Sequence, residues 1–228
     1  MEIIHIYHSG FLIKFDNDTL VFDCLDSSAS KYFSQHGKNY VFTTHSHSDH
    51  YSQNIFEWER KNYNVEYFFG DDITIRDIRP NYHIMDKYQS LKTNNLEIET
   101  FGSTDSGVSF FVKFRGNNIF HAGDLNWWHW KNDSKETQRK EESDFKLEVD
   151  KLKGRGIDIA FIPVDPRLDE YYYLAAEYFA KTIKPKILIP MHFADNFDIT
   201  KKIKEKLGDF NMEVIEIVKR DQELDINI

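Results

Sequence analysis

Hydrophobic and polar residues alternate at the beginning of the chain, and this period of two predicts β-strands. The alternation covers Ile4 and Ile6 and then runs from Phe11 to Phe15. Short apolar segments predict further strands at residues 20–22, 40–43, 65–69, 96–100, 108–114, 118–121, 157–162 and 186–190. The pairs Asn17-Asp18 and Gly116-Asn117 are typical of hairpin turns between such strands.

Apolar residues at helical spacing predict helices, mainly in the last third of the chain. They occur at positions 145, 149 and 152, at 174 and 178, and at 199, 203 and 207, and residues 52–60 resemble a helix start. The polar segment 131–143 contains no apolar residue, so we expect an exposed loop there in preference to a solvated helix start. Strands followed by interleaved helices indicate two sheets covered by helices, in a single domain of residues 1–228.

The composition limits the classes of function that are open to the chain. Its 228 residues carry a formal net charge of −9, which disfavours a polyanionic partner such as nucleic acid. The apolar segments are too short to cross a membrane, and the first residues lack the pattern of a signal peptide. Cys24 is the only cysteine, so no intrachain disulfide can form, and we expect a cytoplasmic protein.

The segment from Thr44 to His50 contains the most informative chemistry in the sequence. It places three imidazoles and a carboxylate within six residues, at His45, His47, Asp49 and His50. In an extended segment His45 and His47 point to the same side, because side chains alternate. A turn after them would let one pair bind one metal ion and the next pair a second. Imidazole and carboxylate suit zinc, iron or manganese, so the segment predicts a metal site.

These residues resemble the H-x-H-x-D-H signature of the metallo-β-lactamase superfamily, which also follows a short strand. Two later segments resemble the other motifs of that superfamily in the expected order, namely His121-Ala122-Gly123-Asp124 and residues 189–193 around His192. Residues 7–10 and 21–23 resemble the opening strands of its ascorbate-6-phosphate lactonase-like subgroup. The resemblance covers nearly the whole chain, and it implies an α/β fold, a four-layer αβ/βα sandwich with the metal ions at one edge.

The resemblance also implies a set of ligands. It assigns His45 and His47 to one metal ion, Asp49, His50 and His192 to the other, and Asp124 to a bridge between them. Ser103 departs from the pattern, since the superfamily usually has a further histidine there for the first ion. Asp105 could substitute for it and favour manganese or iron, water or substrate could fill the position, or only the second ion is bound tightly. We expect the second site to bind more tightly.

A metal-dependent hydrolase follows from this ligand set. A metal-bound water has its pKa lowered towards neutrality and becomes a hydroxide nucleophile. Asp124 would hold both ions at a fixed separation, and Asp49 would orient or deprotonate the hydroxide or act as a simple ligand. We predict one or two divalent ions, zinc first and manganese or iron otherwise, and a small-molecule ester, lactone or phosphoester as substrate. The alternatives are a nuclease or cyclic-nucleotide phosphodiesterase on the same fold, or a non-catalytic metal-binding protein.

Residues near these motifs are candidates for binding substrate or orienting ligands. Trp127 and Trp128 predict an aromatic wall beside the metal ions, or alternatively a hydrophobic plug or dimer contact. Arg167 could bind a carboxylate or phosphate as a fork, although a surface ion pair is the commoner role. Asp23 would hydrogen-bond the histidine loop or a ligand imidazole, or cap a turn. His8 is expected to be structural.

Overall fold

Two seven-stranded β-sheets form the centre of the protein. The computed structural model describes residues 1–93 and 95–226. Its strands are β1 (Glu2–Tyr7), β2 (Gly10–Phe15), β3 (Asp18–Phe22), β4 (Asn39–Thr43), β5 (Val65–Gly70), β6 (Tyr82–Met85), β7 (Ser90–Lys92), β8 (Leu96–Phe101), β9 (Ser109–Phe114), β10 (Asn117–His121), β11 (Ile159–Pro163), β12 (Ile187–Met191), β13 (Glu213–Val214) and β14 (Gln222–Asp225).

The two sheets repeat the same strand topology. The first has the order β14-β1-β2-β3-β4-β5-β6, and the second has the order β13-β12-β11-β10-β9-β8-β7. From β1 to β6 two antiparallel pairings are followed by three parallel ones, and the same series runs from β8 to β13. The loops that follow β3 and β4 in one sheet therefore correspond to those that follow β10 and β11 in the other. Together with the loop after β12, these are the loops that carry the polar residues singled out from the sequence.

Aromatic side chains join the inner faces of the two sheets. The ring of Phe11 on β2 lies 4.6 Å from that of Phe161 on β11, and Phe42 on β4 lies 5.3 Å from Phe110 on β9. The alternation along β2 explains this arrangement, because Phe11 faces the other sheet while Leu12 belongs to the separate cluster on the opposite face. Each such buried side chain stabilises the fold by roughly 1.5–3 kcal/mol.

Helices cover the outer faces of both sheets. They are α1 (Glu57–Arg60), α2 (Lys135–Asp150), α3 (Leu174–Ile183) and α4 (Asp198–Lys206), with 3-10 helices at Ser27–Tyr32, Gln53–Phe56 and Pro166–Tyr171. On the second sheet, Phe179 of α3 stacks on Phe120 of β10 at 5.5 Å. Outside the first sheet, Trp58 of α1 donates a hydrogen bond to the Ser27 carbonyl at 2.8 Å. The expected αβ/βα sandwich is confirmed. Among the described residues, no helix is both long and apolar enough to cross a membrane.

The predicted strands are confirmed, and the structure adds β6, β7, β13 and β14. All four are edge strands, which pair on one side only and therefore carry a weaker apolar pattern in the sequence. Both predicted hairpins are present, but each turn lies one residue earlier than expected. The pairing of Phe15 with Asp18 places the first turn at residues 16–17, and the pairing of Phe114 with Asn117 places the second at 115–116.

The prediction of an exposed loop at residues 131–143 was wrong, because α2 begins at Lys135. The Ser134 side chain accepts a hydrogen bond from the backbone N–H of Thr137 at 3.1 Å and so caps the helix. Buried Phe145 and Val149 then hold its second half against the sheet. The polar first half and the apolar second half form one helix, which the absence of apolar residues in the first half concealed. Residues 52–60 form the short 3-10 helix and α1, where one helix was predicted.

Candidate metal centre

The six side chains predicted as metal ligands converge at the carboxyl ends of the parallel strands. The loop after β4 carries His45, His47, Asp49 and His50, the loop after β10 carries Asp124, and the loop after β12 carries His192. Their candidate ligand atoms form two groups, each with all atoms within 4.8 Å of one another. One group is His45, His47 and Asp124, and the other is His8, Asp49, His50 and His192.

Asp124 lies between the two groups. Its Oδ1 atom is 3.0 Å from Nε2 of His50 and 3.1 Å from Nε2 of His192. Its Oδ2 atom is 3.3 Å from Nε2 of His45 and 3.9 Å from Nδ1 of His47. One carboxylate oxygen therefore faces each group, which is the geometry that a bridging ligand requires.

Asp23 fixes which ring nitrogen two of the histidines present to Asp124. Its Oδ2 accepts a hydrogen bond from Nδ1 of His50 at 2.7 Å. The Thr44 hydroxyl donates to the same oxygen at 2.7 Å, so it can only accept from Nδ1 of His45, which lies 3.0 Å away. Because Nδ1 carries a proton in both rings, Nε2 is the nitrogen that can give up its proton and offer a lone pair to a metal ion.

Asp165 has the corresponding relation to His192. Its Oδ2 lies 3.2 Å from Nδ1 of His192, at a poor hydrogen-bond angle that still favours the proton on that nitrogen. Arg167 holds Asp165 as a fork, with Nε at 3.0 and 2.9 Å from the two carboxylate oxygens and Nη2 at 2.5 Å. Arg167 therefore forms an ion pair, the commoner of the two roles expected for it, with its fork directed at Asp165 while its side chain also lines the adjoining pocket.

Two glycines allow neighbouring loops to approach the histidine segment. Gly107 has a φ of +64°, and a Cβ there would lie 2.1 Å from the Thr44 carbonyl oxygen and 2.5 Å from Cβ of His45. Gly123 has a φ of +55°, and a Cβ there would lie 2.9 Å from the Thr44 side chain. Both positions require glycine, because any side chain would displace Thr44 from the hydrogen bonds that orient the ligands.

The site is a concentrated pair of opposite charges when no cation is bound. Burial opposes protonation of His50, but the charge of Asp23 and the hydrogen bond with Asp124 outweigh it and raise the pKa of His50 to about 10. Burial likewise opposes ionisation of Asp124, but the hydrogen bonds from His192, His45 and His50 hold the pKa of this carboxyl far below its ordinary value. The buried carboxylate of Asp124 is thus ionised, and this form is stable there only with positive charge beside it.

The sequence and the fold identify the family. The family model described as "Beta-lactamase superfamily domain" matches residues 2–192. This chain belongs to the beta-lactamase superfamily. The UPF0173 metal-dependent hydrolase NEQ378 of Nanoarchaeum equitans is 25% identical, over 99% of this chain and 100% of that protein.

Solved structures share the fold at lower identity. Igni18, a metallo hydrolase from the archaeon Ignicoccus hospitalis, matches with a TM-score of 0.57 and 17% identity over 99% of each chain. The metallo-beta-lactamase fold protein YhfI from Bacillus subtilis matches with a TM-score of 0.63 and 13% identity over 98% of each chain. The fold expected from the superfamily motifs is thereby confirmed.

The departure from the superfamily pattern at Ser103 leaves the first group with fewer donors. The Ser103 hydroxyl accepts a hydrogen bond from the backbone N–H of Asp105 at 3.2 Å. Asp105 lines the adjoining pocket, but it is in neither ligand group of the described residues, so the structure does not place it as a surrogate ligand. The nearby Ser106 hydroxyl lies 3.5 Å from Nε2 of His47, where it can fix the orientation of that half-exposed ring.

A pocket of about 500 Å³ opens beside the two groups. Its lining residues are His47, Asp49, Thr104, Asp105, Asp124, Trp128, Trp130, Asp133, Glu141, Arg167 and His192. Trp128 presents its ring edge 5.7 Å from His192 and stacks on Trp130 at 5.9 Å, so the pair forms an aromatic wall. Trp127 does not line this pocket and packs on Phe145 instead, which corrects its prediction as a substrate contact.

Sequence reasoning gave little weight to two residues that the structure brings to the site. Asp165 lies two residues after the end of β11, and its position after a buried parallel strand was a usable signal, as it was for Asp23 after β3. His8 was expected to be structural, but its Nε2 lies 3.4 Å from Oδ2 of Asp49. The turn between β1 and β2 gave no sign of this contact, because Asp49 comes from a distant part of the chain.

Proposed function

We propose that this chain is a metal-dependent hydrolase that cleaves a small-molecule ester, lactone or phosphoester. The observation that supports this proposal most directly is that the two carboxylate oxygens of Asp124 face two different groups of imidazole and carboxylate donors. The name of the similar Nanoarchaeum equitans protein, a metal-dependent hydrolase, supports the same conclusion. In this proposal His45, His47 and Asp124 hold one cation, and Asp49, His50, His192 and Asp124 hold the other.

The donor atoms fit a divalent cation. Nε2 of His50 and Oδ1 of Asp124 are buried 3.0 Å apart, and neither has a well-aligned hydrogen-bond partner among the described residues. Two such atoms that face one point require positive charge between them, either a proton or a cation. An ion about 2.0–2.2 Å from each atom would supply it. We propose zinc, with manganese or iron as alternatives, because imidazole and carboxylate donors suit all three.

Different residues of this chain have different roles in the proposed hydrolysis. A bound divalent cation lowers the pKa of its water and polarises the bond to be cleaved. Asp124 sets the distance between the two positions, and Asp49 faces the pocket with its side chain half exposed. His8, whose Nε2 lies 3.4 Å from Oδ2 of Asp49, holds the pKa of Asp49 below its ordinary value, so this carboxylate is ionised and can accept a proton from the attacking water. Trp128 and Trp130 exclude water from one wall.

The rim of the pocket favours neutral or cationic groups on the substrate. Asp105, Asp133 and Glu141 form no salt bridge with any described residue, and burial raises the pKa of Glu141. The Arg167 fork is taken by Asp165. A polyanion would therefore meet uncompensated negative charge beyond the metal positions, and for this reason we propose a small molecule in preference to nucleic acid.

Removal and return of metal test the proposal. Chelator-treated protein should be inactive on a panel of nitrophenyl esters, lactones and bis-nitrophenyl phosphate, and zinc, manganese or iron should restore turnover. Asp124→Ala should abolish turnover and lower the bound metal per chain, while the surface variant Asp144→Ala should behave as the parent. Turnover that survives Asp124→Ala, or the absence of stoichiometric metal, would contradict the proposal.

Metal occupancy tests the asymmetry of the two positions. We propose that the second position binds more tightly, because His47 in the first is half exposed and Ser103 replaces a histidine. Anomalous scattering from crystals soaked at increasing zinc should show the second position filling first. Equal occupancy at every concentration would argue against this order.

A further inference from the structure

His8 lies against the second group of donors but differs from its neighbours in one respect. It is buried in the turn between β1 and β2, with its ring 4.1 Å from that of His192 and its Nε2 3.4 Å from Oδ2 of Asp49. By distance alone it is a fourth donor of that group. Distance does not show, however, whether Nε2 carries a lone pair or a proton.

The partner of the other ring nitrogen decides this point. The backbone N–H of Ala194 donates a hydrogen bond to Nδ1 of His8 at 3.1 Å. A backbone amide can only donate, so Nδ1 is the unprotonated nitrogen, and in the neutral ring Nε2 must carry the proton. In His45 and His50 the order is reversed, since Nδ1 is the donor there and Nε2 faces Asp124. His8 therefore keeps an N–H at Nε2, whereas its neighbours can give up the Nε2 proton to a cation.

We propose that His8 is a positioning residue and not a metal ligand, and that its Nε2–H holds the Asp49 carboxylate at the second metal position. The inference rests on the proposed function, since it describes the site of that same hydrolase. Asp49 has an exposed side chain that would otherwise rotate freely towards the pocket. An N–H beside one oxygen leaves the other free for a cation, which is the arrangement that outer-shell donors commonly impose on carboxylate ligands.

The same residue also holds the loop that carries His192. The His8 carbonyl accepts the backbone N–H of His192 at 3.2 Å, in addition to the bond between its ring and Ala194. All three residues have a positive φ, +54° for His8, +65° for His192 and +48° for Ala194. Such strained backbone persists only where its surroundings hold it. His8 thus ties a ligand from the β4 loop to a ligand from the β12 loop, and so joins the two sheets at the site.

Nitrogen NMR of the wild-type protein tests the assignment directly. In ¹⁵N-histidine-labelled, metal-free protein, His8 should show a protonated Nε2 and an unprotonated Nδ1. After loading with ¹¹³Cd, one-bond coupling to cadmium should appear at His50 and His192 and be absent at His8. Coupling at either nitrogen of His8 would overturn the inference. Absence of cadmium binding at every histidine would instead contradict the proposed function, and the metal-free spectrum would still report the His8 proton.

A matched pair of variants separates the two nitrogens. His8→Gln retains an N–H near the position of Nε2, and His8→Asn retains an acceptor near the position of Nδ1. By chelator competition, His8→Asn should weaken zinc affinity on the order of 10-fold, while His8→Gln stays closer to the parent. Equal losses of zinc affinity in both variants would overturn the inference. That result is expected if His8 is a metal ligand, because neither amide replaces an imidazole ligand. If either variant fails to fold, the nitrogen spectra decide alone.

Discussion

Oδ2 of Asp23 lies 2.7 Å from Nδ1 of His50, and the same oxygen accepts the Thr44 hydroxyl that fixes His45. One carboxylate directly after β3 therefore orients one ring in each ligand group. Asp23 is itself fully buried, and although burial opposes its ionisation, the charge of His50 keeps its pKa below the ordinary value. The orientation of the ligands thus depends on a residue that does not line the pocket.

Asp23→Asn should weaken metal binding by about 10–100-fold without removing a ligand. An amide N–H facing His50 would force its proton onto Nε2, the nitrogen that the cation needs. Chelator competition with zinc measures the change. Asp16→Asn, whose side chain is 85% exposed, is the matched control and should leave affinity unchanged. Unaltered affinity in Asp23→Asn would show that the carboxylate does not control the tautomer.

Trp127→Leu and Trp128→Leu should separate packing from substrate contact. Trp127 packs on Phe145, whereas Trp128 lines the pocket beside His192. Both variants should lose about 1–3 kcal/mol of unfolding free energy, since both bury apolar surface. Only Trp128→Leu should raise KM for an aromatic ester, measured on metal-loaded protein. A rise in KM of the same size in Trp127→Leu would contradict the assignment of the pocket wall.

Gly107→Ala should destabilise the protein much more than Gly116→Ala. Both glycines have positive φ, so alanine costs about 1–2 kcal/mol at either position. A Cβ at Gly116 would meet no described atom within 4 Å, whereas one at Gly107 would lie 2.1 Å from the Thr44 carbonyl oxygen. We expect Gly107→Ala to lose at least about 2 kcal/mol more in urea unfolding. Equal losses of unfolding free energy would mean that the loop after β8 can shift to accommodate the alanine Cβ without further loss of stability.

His5 should make the protein sensitive to mild acid. Burial lowers the pKa of His5 from 6.5 to about 4, so the unfolded chain takes up the proton first as pH falls. The stability from the neutral ring is complete above pH 6.5 and is lost as pH falls towards 4, by roughly 3 kcal/mol in total.

Urea unfolding at pH 7 and pH 4.5 tests this expectation. His5→Phe, which suits a site between Phe11 and Phe193, should lose less stability than the parent between these pH values. His36→Phe replaces an exposed ring and serves as the control, which should follow the parent. Identical pH dependence in His5→Phe and the parent would exclude His5 as the sensitive group.

Much of the fold was predictable because its signals are local. Alternation marked β1 and β2, and short apolar runs marked the other inner strands, several of which are buried on both faces. The edge strands pair on one side only and carry a weaker pattern. The segment from His45 to His50, with Asp124 and His192, indicated the candidate metal centre from its residue types and order. Those residue types are rare enough in combination to single out the candidate donors without coordinates.

The sequence alone determined which residues are the candidate nitrogen and oxygen donors and in which family fold they occur. Tertiary structure decided what each donor presents to the site. A histidine is the same in sequence whether Nδ1 donates a hydrogen bond, as in His50, or accepts one, as in His8, because the choice depends on partners at Asp23 and Ala194 from other loops. In the same way only folding brought Asp165 against His192 and packed Trp127 on Phe145, since hydrogen bonding and packing are satisfied between segments that the chain brings together only in three dimensions.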